Sequence, residues 1–218
     1  ENNFTPWAFP HDSRADWCAS LGVKQMAEHP TAEVLYYVGC AGSFDDRAKK
    51  VATAIVNLLK KANVDFAILG KEEKCNGDPA RRAGNEYLAQ MLIKENVETL
   101  NRYKPKKILT GCPHCFNTLK NEYPQFGAQY DVVHHTTFLA ELIRDGKLKP
   151  KKNADTGEVT FHDSCYLGRW NDVYDDPREI LKAVPELNVT EMKRTKNKGL
   201  CCGAGGARMF MEENIGKR

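Results

Sequence analysis

The sequence has little of what marks membrane, exported or nucleic-acid-binding chains. No apolar run approaches the roughly 20 residues that a helix needs to cross a bilayer, and no signal peptide is visible. The formal net charge is only +3, and basic residues are scattered among acids, so nucleic acid is not predicted as a partner. Hydrophobic residues make up 41% and charged residues 28%, which is typical of an ordinary globular protein.

Cysteine, by contrast, is abundant, with eight in 218 residues. Disulfides would explain this number in an exported protein. The missing signal, the adjacent pair Cys201-Cys202 and the Cys112-Pro113-His114-Cys115 motif argue instead for metal binding or redox chemistry in a reducing compartment. The expected location is therefore the cytoplasm, with the inner face of the membrane as the alternative.

The cysteine pattern occurs nearly twice. Cys40 lies 35 residues before Cys75, and Cys165 lies 36 residues before Cys201. The first series ends in the Cys-x-x-Cys motif, which begins 37 residues after Cys75, whereas the same interval counted from Cys201 runs past the last residue. The pattern predicts two related modules, the second of them truncated.

Strand-like and helix-like segments alternate, which predicts an α/β fold of two similar lobes. Each lobe would be a small parallel sheet flanked by helices. The predicted strands are short apolar runs at 34–38, 65–69, 107–110, 131–134, 159–162 and 188–192. The predicted helices are 45–62, 79–103, a segment from the Cys-x-x-Cys motif to 119, 137–144 and 177–184. The expected domains are an irregular N-terminal arm at 1–30, a first lobe at 31–148 and a second at 158–218, joined by a linker near 146–157.

In a parallel sheet the carboxyl ends of the strands share one edge, and Cys40, Cys75, Cys112 and Cys115 all follow predicted strands. We expect them to converge there. Four thiolates suit either a tetrahedral Zn²⁺ ion or a [4Fe–4S] cluster. The neighbouring glycines would let the backbone approach such a cluster closely, namely Gly39, Gly42, Gly77 and Gly111.

Other interpretations stay open from the residues alone. A strand followed by Cys-Pro-His-Cys and a helix is also the arrangement of a metal-free thioredoxin-like dithiol site, with Cys112 and Cys115 as the reactive pair. The run Gly203–Gly206 lacks the spacing of a dinucleotide-binding loop and is interpreted as a wrap around a metal centre. Cys18 has no counterpart in the repeat and is predicted to be structural. His134, His135 and His162 are also predicted to be structural, with the alternative that His162, three residues before Cys165, tunes a cluster or carries protons.

Three motifs together resemble the CCG-domain iron–sulfur oxidoreductases. They are the runs that begin at Cys75-Asn76-Gly77, at Cys112-Pro113-His114-Cys115 and at Cys201-Cys202-Gly203. This family includes the B subunit of heterodisulfide reductase and relatives in lactate, glycolate, glycerol-3-phosphate and electron-transfer-flavoprotein-linked systems. The resemblance covers roughly residues 30 to 218.

The resemblance implies a cluster in each lobe. The first would be held by Cys40, Cys75, Cys112 and Cys115, and Asn76 stands where the family has a second adjacent cysteine, which favours a cubane over a five-cysteine non-cubane form. The second would use Cys165, Cys201 and Cys202, and its form, cubane or non-cubane, is left open. Cys201 and Cys202 are the candidate catalytic residues.

The resemblance also implies a place in a larger oxidoreductase. Electrons would arrive from a flavoprotein or ferredoxin-like domain or subunit and pass to a disulfide, a quinone or a similar acceptor. No membrane span is expected in this chain, although another domain or subunit could attach it to a membrane. A zinc-stabilised interaction module is the alternative without redox chemistry.

Overall fold

The computed structural model describes residues 4–152 and 157–211. Its strands are β1 (Val34–Tyr37), β2 (Phe66–Ile68), β3 (Lys107–Thr110), β4 (Val132–His134), β5 (Glu158–Val159) and β6 (Asn188–Val189). Its α-helices are α1 (Gly39–Phe44), α2 (Asp46–Lys61), α3 (Asp78–Arg82), α4 (Glu86–Tyr103), α5 (Pro113–Asn117), α6 (His135–Arg144) and α7 (Asp175–Ala183). The alternation of strands and helices confirms the predicted α/β class.

Four strands form a parallel sheet in the order β2-β1-β3-β4. Val34 in β1 is level with Phe66 on one side and with Lys107 on the other, and Ile108 is level with Val132. All four strands therefore end at the same edge, and the loops that follow them meet there.

Both faces of this sheet are covered, which explains why its strands are continuous apolar runs. Successive residues of a strand point to opposite faces. Tyr36 packs on one face with Ile55 and Leu59 of α2 and with residues of α6, whereas Leu35 packs on the other face with Ile93 of α4. The rigid layers hold the strand ends in fixed positions.

The long helix predicted at 79–103 is wrong as a single element. The structure has two helices, α3 and α4, because the chain turns at Gly84, whose φ is 88°. Asn85 then caps α4, since its side chain accepts a hydrogen bond from the backbone N–H of Leu88 at 3.1 Å. Because of this break, α3 lies at the edge of the sheet, whereas α4 packs against one of its faces.

The N-terminal arm is more regular than predicted. Residues His11–Leu21 form a 3₁₀ helix, and Gln25 makes a parallel bridge to Ile68 at the end of β2. Cys18 is buried against the core, and its Sγ donates a hydrogen bond to the carbonyl of Ala15 at 3.1 Å. The arm thus packs against the body of the protein.

The second half contains a separate parallel sheet of β5 and β6. The strands predicted at 159–162 and 188–192 are only two residues long, since few of their residues are covered by other elements. Helix α7 packs against α6 and so joins the two halves. The predicted linker and the end of the predicted second lobe include residues outside the described ranges. The domain boundaries and the similarity of two complete lobes therefore stay predictions.

Within residues 4–152 and 157–211, none of the helices has the length and apolarity that a membrane crossing requires.

Candidate functional site

Cys40, Cys75, Cys112 and Cys115 line one cavity of about 260 Å³ at the shared edge of the four-stranded sheet. Cys40 lies in the first turn of α1, directly after β1, and Cys112 precedes α5, directly after β3. Cys75 reaches the edge through the loop that follows β2. The expected convergence of these four side chains is therefore what the structure shows.

The four thiols interact in two pairs. A hydrogen bond from Cys75, assisted by the nearby Arg14, lowers the pKa of Cys40 to about 7 against the effect of burial, while the pKa of Cys75 is raised well above its usual value by the same hydrogen bond and by burial. A hydrogen bond from Cys115 lowers the pKa of Cys112 to about 6, with a contribution from His114. One thiol of each pair therefore ionises readily near neutral pH, as a ligand for iron or zinc must.

Gly39 makes the close approach between the first and third loops possible. A Cβ atom at this position would lie 3.1 Å from Sγ of Cys115, and the φ of Gly39 is 78°, which disfavours other residues. The other three glycines serve the packing of the protein itself. A Cβ atom would meet Val38 at Gly42, the backbone of Ala89 at Gly77 and Ile55 at Gly111.

Asn76, which directly follows Cys75, lines the same cavity and is 3% exposed. Its Oδ1 accepts a hydrogen bond from the backbone N–H of Asp78 at 2.9 Å, which fixes the start of α3. Its Nδ2 is buried and has no hydrogen-bond partner in the part of the chain that the structure describes. An unpaired buried amide is costly, so the cavity wall offers a donor for an acceptor inside it.

Two residues of the site gave no signal in the sequence. Arg14 of the arm is buried, and its Nη2 lies 3.4 Å from Sγ of Cys40 and 2.9 Å from Oε1 of Glu73. Glu73 in turn accepts hydrogen bonds from the backbone N–H groups of Val38 and Gly39 at 2.8 and 2.9 Å. Because Glu73 stands in a charged run and Arg14 in a polar arm, the sequence makes both look like surface residues.

The cavity is covered by segments from the two ends of the described chain. Trp7 comes from the arm and Phe210 from the residues that follow the Cys201-Cys202 pair, and their rings meet edge to face at 5.1 Å between centroids. The backbone of residues 204–207 also lines the cavity. The glycine-rich run therefore wraps this cavity, and the described residues after it form only a short 3₁₀ turn, Arg208–Phe210, in place of the helix that a dinucleotide loop requires.

Cys165, Cys201 and Cys202 lie outside this cavity. Cys165 is half-buried, and burial and the proximity of Cys201 raise its pKa, whereas Cys201 and Cys202 are exposed. His162 has a structural contact, since its Nε2 donates to the carbonyl of Leu200 at 2.8 Å and so steadies the segment before the pair. The seven predicted ligands thus form two groups.

A ring contact connects the two groups. His114, within the Cys-x-x-Cys motif, lies 4.2 Å from the ring of Tyr166, the neighbour of Cys165. Nδ1 of His114 donates to Oδ2 of Asp78 at 2.8 Å, which fixes the orientation of the imidazole. His134, by contrast, is buried, His135 lies beside it and is half-buried, and desolvation lowers the pKa of His134 to about 2 and that of His135 to about 4.

Among the described residues, no three His, Cys, Asp or Glu side chains are placed to hold one ion. The four cysteines instead surround a space, which suits a larger group bound by several sulfurs.

The chain is similar to a known family and to several known proteins. The model of the CCG cysteine-rich domain matches residues 34–120 and 159–218. The EtfAB:quinone oxidoreductase of Syntrophomonas wolfei is 50% identical over 98% of this chain and 30% of its own length. The "Probable iron-sulfur-binding oxidoreductase FadF" of Bacillus subtilis is 47% identical over 100% of this chain and 32% of its own.

A further relative comes from Methanosarcina mazei. It is the D subunit of the dihydromethanophenazine:CoB–CoM heterodisulfide reductase, which is 39% identical over 80% of this chain and 44% of its own length. The chain thus spans less than half the length of each of these relatives. No solved structure gives a significant match. Because the family model covers more than half of the residues and includes both cysteine groups, the chain belongs to the CCG cysteine-rich domain family.

Proposed function

We propose that this chain is an electron-transfer module of a larger iron–sulfur oxidoreductase. In this proposal Cys40, Cys75, Cys112 and Cys115 hold a [4Fe–4S] cluster, which supplies a one-electron carrier when bound. The observation that carries the proposal is the convergence of these four thiols on one cavity at the sheet edge. The names of the relatives, which include an iron–sulfur-binding oxidoreductase, support it.

The residues of the cavity fit such a group. Four cysteines are the usual ligand set of a cubane cluster, and Asn76 offers no fifth thiolate. The absence of a side chain at Gly39 keeps the space beside Cys115 open. The buried Arg14 balances part of the negative charge of the thiolates, and Trp7 and Phe210 limit the access of water.

The second group is proposed as the site that faces the acceptor. Cys201 and Cys202 are exposed, so another protein or a small acceptor can reach them, and the contact between His114 and Tyr166 places this group beside the first. We propose that Cys165, Cys201 and Cys202 contribute to a second cluster. The proposed donor is a flavoprotein or ferredoxin-like partner, and the name of the S. wolfei relative favours a quinone over a disulfide as acceptor. The proposed location is the cytoplasm or the inner face of the membrane.

The test is the purification of the protein under anaerobic conditions, with measurement of iron, acid-labile sulfide and the visible spectrum. The proposal predicts a brown protein whose first cluster is lost in Cys75→Ser and kept in Cys18→Ser, the matched control for a buried thiol outside the cavity. A colourless wild-type protein without iron would contradict it.

A thiol–disulfide activity is the second candidate, and one observation favours it. Cys112 precedes a helix and has a pKa of about 6, as in dithiol reductases. This activity requires Cys112 and Cys115 but neither Cys40 nor Cys75. Full insulin reduction by the iron-free Cys75→Ser protein would therefore support it against the cluster.

A further inference from the structure

Arg14 is a buried cation, and it comes from outside the residues that the family model matches. It is 1% exposed, and its Nη2 contacts both Sγ of Cys40 and Oε1 of Glu73. Its guanidinium also lies over the ring of Phe44, 5.7 Å from the centroid, which separates it from solvent. The N-terminal arm therefore delivers a fixed positive charge to the wall of the cysteine cavity.

The hydrogen bonds that Arg14 makes within the protein are too few to account for its burial. Its Nε and Nη1 atoms have no hydrogen-bond partner among the described residues, although a buried arginine normally has its donors satisfied. The one nitrogen that is bonded is the one that touches the cysteine sulfur. The protein interior screens charges weakly, so the buried cation of Arg14 acts most strongly on nearby groups whose charge changes.

We propose that Arg14 is a positioning residue that sets the reduction potential of the group held by Cys40, Cys75, Cys112 and Cys115. The inference rests on the proposed function. Reduction adds one electron to the cysteine-bound group, and a cation beside Cys40 stabilises the more negative, reduced state. Arg14 therefore raises the potential, and Glu73, which carries a negative charge against the same loop, lowers it.

The opposite signs of the two effects separate an electrostatic role from a structural one. A variant that merely disturbs the loop would shift the potential in one direction, whichever partner of the pair is changed. If charge is decisive, Arg14→Met lowers the potential and Glu73→Gln raises it. The Gln side chain keeps one oxygen that can accept from the backbone N–H of Gly39, whereas its NH2 group faces the N–H of Val38, so one of the two hydrogen bonds to the loop is lost.

The experiment is a redox titration of the anaerobic wild-type and variant proteins, followed by EPR. We expect Arg14→Met to reduce the equilibrium constant for reduction about tenfold, which is about 59 mV for a one-electron couple. Glu73→Gln should change it by a similar factor in the opposite sense, and the double variant should lie between the two. Arg102→Met is the matched control, since Arg102 pairs with the neighbouring Glu72 at the exposed surface, where solvent screens its charge.

Each outcome of this experiment either supports or overturns the inference about Arg14. Shifts of the same sign in Arg14→Met and Glu73→Gln, or no shift in either, would overturn the inference while leaving the proposed function intact. If Arg14→Met fails to retain iron, the comparison of Glu73→Gln with the double variant still decides, because equal potentials in these two proteins would show that Arg14 has no effect and would overturn the inference. A wild-type protein without iron would overturn the proposed function itself.

Discussion

At the scale of single residues, the geometry of the cavity depends on positions where one atom matters. Gly39 is the clearest case, because it combines a positive φ with a Cβ position only 3.1 Å from Sγ of Cys115. Gly84 has a similar backbone, with a φ of 88°, but nothing lies within 4 Å of its Cβ position. Substitutions at these two glycines therefore distinguish the effect of backbone strain from that of a steric clash with Cys115.

We predict that Gly39→Ala loses most of its bound iron, because the added methyl group displaces Cys115. Gly84→Ala should retain full iron and lose about 1 kcal/mol of stability from the left-handed backbone alone. Iron quantitation and denaturant unfolding of both variants check this. Equal iron content in the two variants would show that Gly39 is not a close contact of the centre.

The sequence predicted which cysteines meet but not what surrounds them. Convergence could be predicted because parallel strands end at one edge, so position after a strand is enough to place Cys40 and Cys112. The pairing of Arg14 with Cys40 and Glu73 could not, because it joins distant segments without any local pattern. In the sequence, two charged residues that form a buried ion pair look the same as two charged residues at the surface.

At the scale of elements, one buried arginine connects several segments of the second half. Arg178 of α7 donates to both carboxylate oxygens of Asp163, at 2.8 and 2.9 Å, and also bonds Glu191 and the hydroxyl of Thr195. Asp163 is two residues before Cys165 and also accepts from the backbone of Lys196. The cluster of bonds thus fixes the segments that flank the second cysteine group.

We predict that Arg178→Met destabilises the second half by about 3 kcal/mol or more, because it leaves Asp163 as a buried charge without its partner. Lys152→Met, which removes an exposed pair with Glu186, should cost at most about 1 kcal/mol. Denaturant unfolding gives both values. Equal costs would show that Arg178 does not organise this region.

The ion pair between Arg178 and Asp163 also predicts that the stability of the protein depends on pH. The hydrogen bonds from Arg178 hold the pKa of Asp163 below its usual range. The ionised carboxylate is thus favoured in the folded state, so the stabilisation is present above the ordinary aspartate pKa and disappears as the pH falls through the lowered value. Unfolding measured at decreasing pH should show this loss in the wild type and not in Arg178→Met. Parallel pH profiles would contradict it.

Element boundaries were predictable where burial is complete. The four strands of the large sheet are apolar throughout because helices cover both faces, and each was predicted at nearly its observed position. The strands β5 and β6 were predicted too long, since the apolar residues Phe161 and Met192 continue the pattern beyond the observed strands although they are only half-buried. The break between α3 and α4 was missed because a single Gly84 does not by itself end a helical pattern.

At the scale of the whole molecule, both ends of the described chain close over the cavity. Trp7 and Phe210 lie far apart in sequence, yet their rings are in contact above the cysteines. Neither belongs to the sheet that positions the thiols. The sheet therefore places the donors, while these two segments of the described chain supply part of the cavity wall.

We predict that Trp7→Ala accelerates the loss of iron in air several-fold, because the cavity loses part of its cover. Trp170→Ala is the matched control, since Trp170 is largely exposed and lies outside the cavity wall. The decay of visible absorbance after exposure to air gives both rates. Identical rates would mean that the terminal segments do not protect the site.

The central claim is that four cysteines distant in sequence hold one iron–sulfur group. Iron and sulfide counts and EPR spectra of single Cys→Ser variants at positions 40, 75, 112 and 115, measured anaerobically, test it most directly. The account predicts that all four variants lose or alter the same EPR signal, and that Cys18→Ser leaves it unchanged. An unaltered signal and full iron in the variants at Cys40 and Cys75 would contradict it.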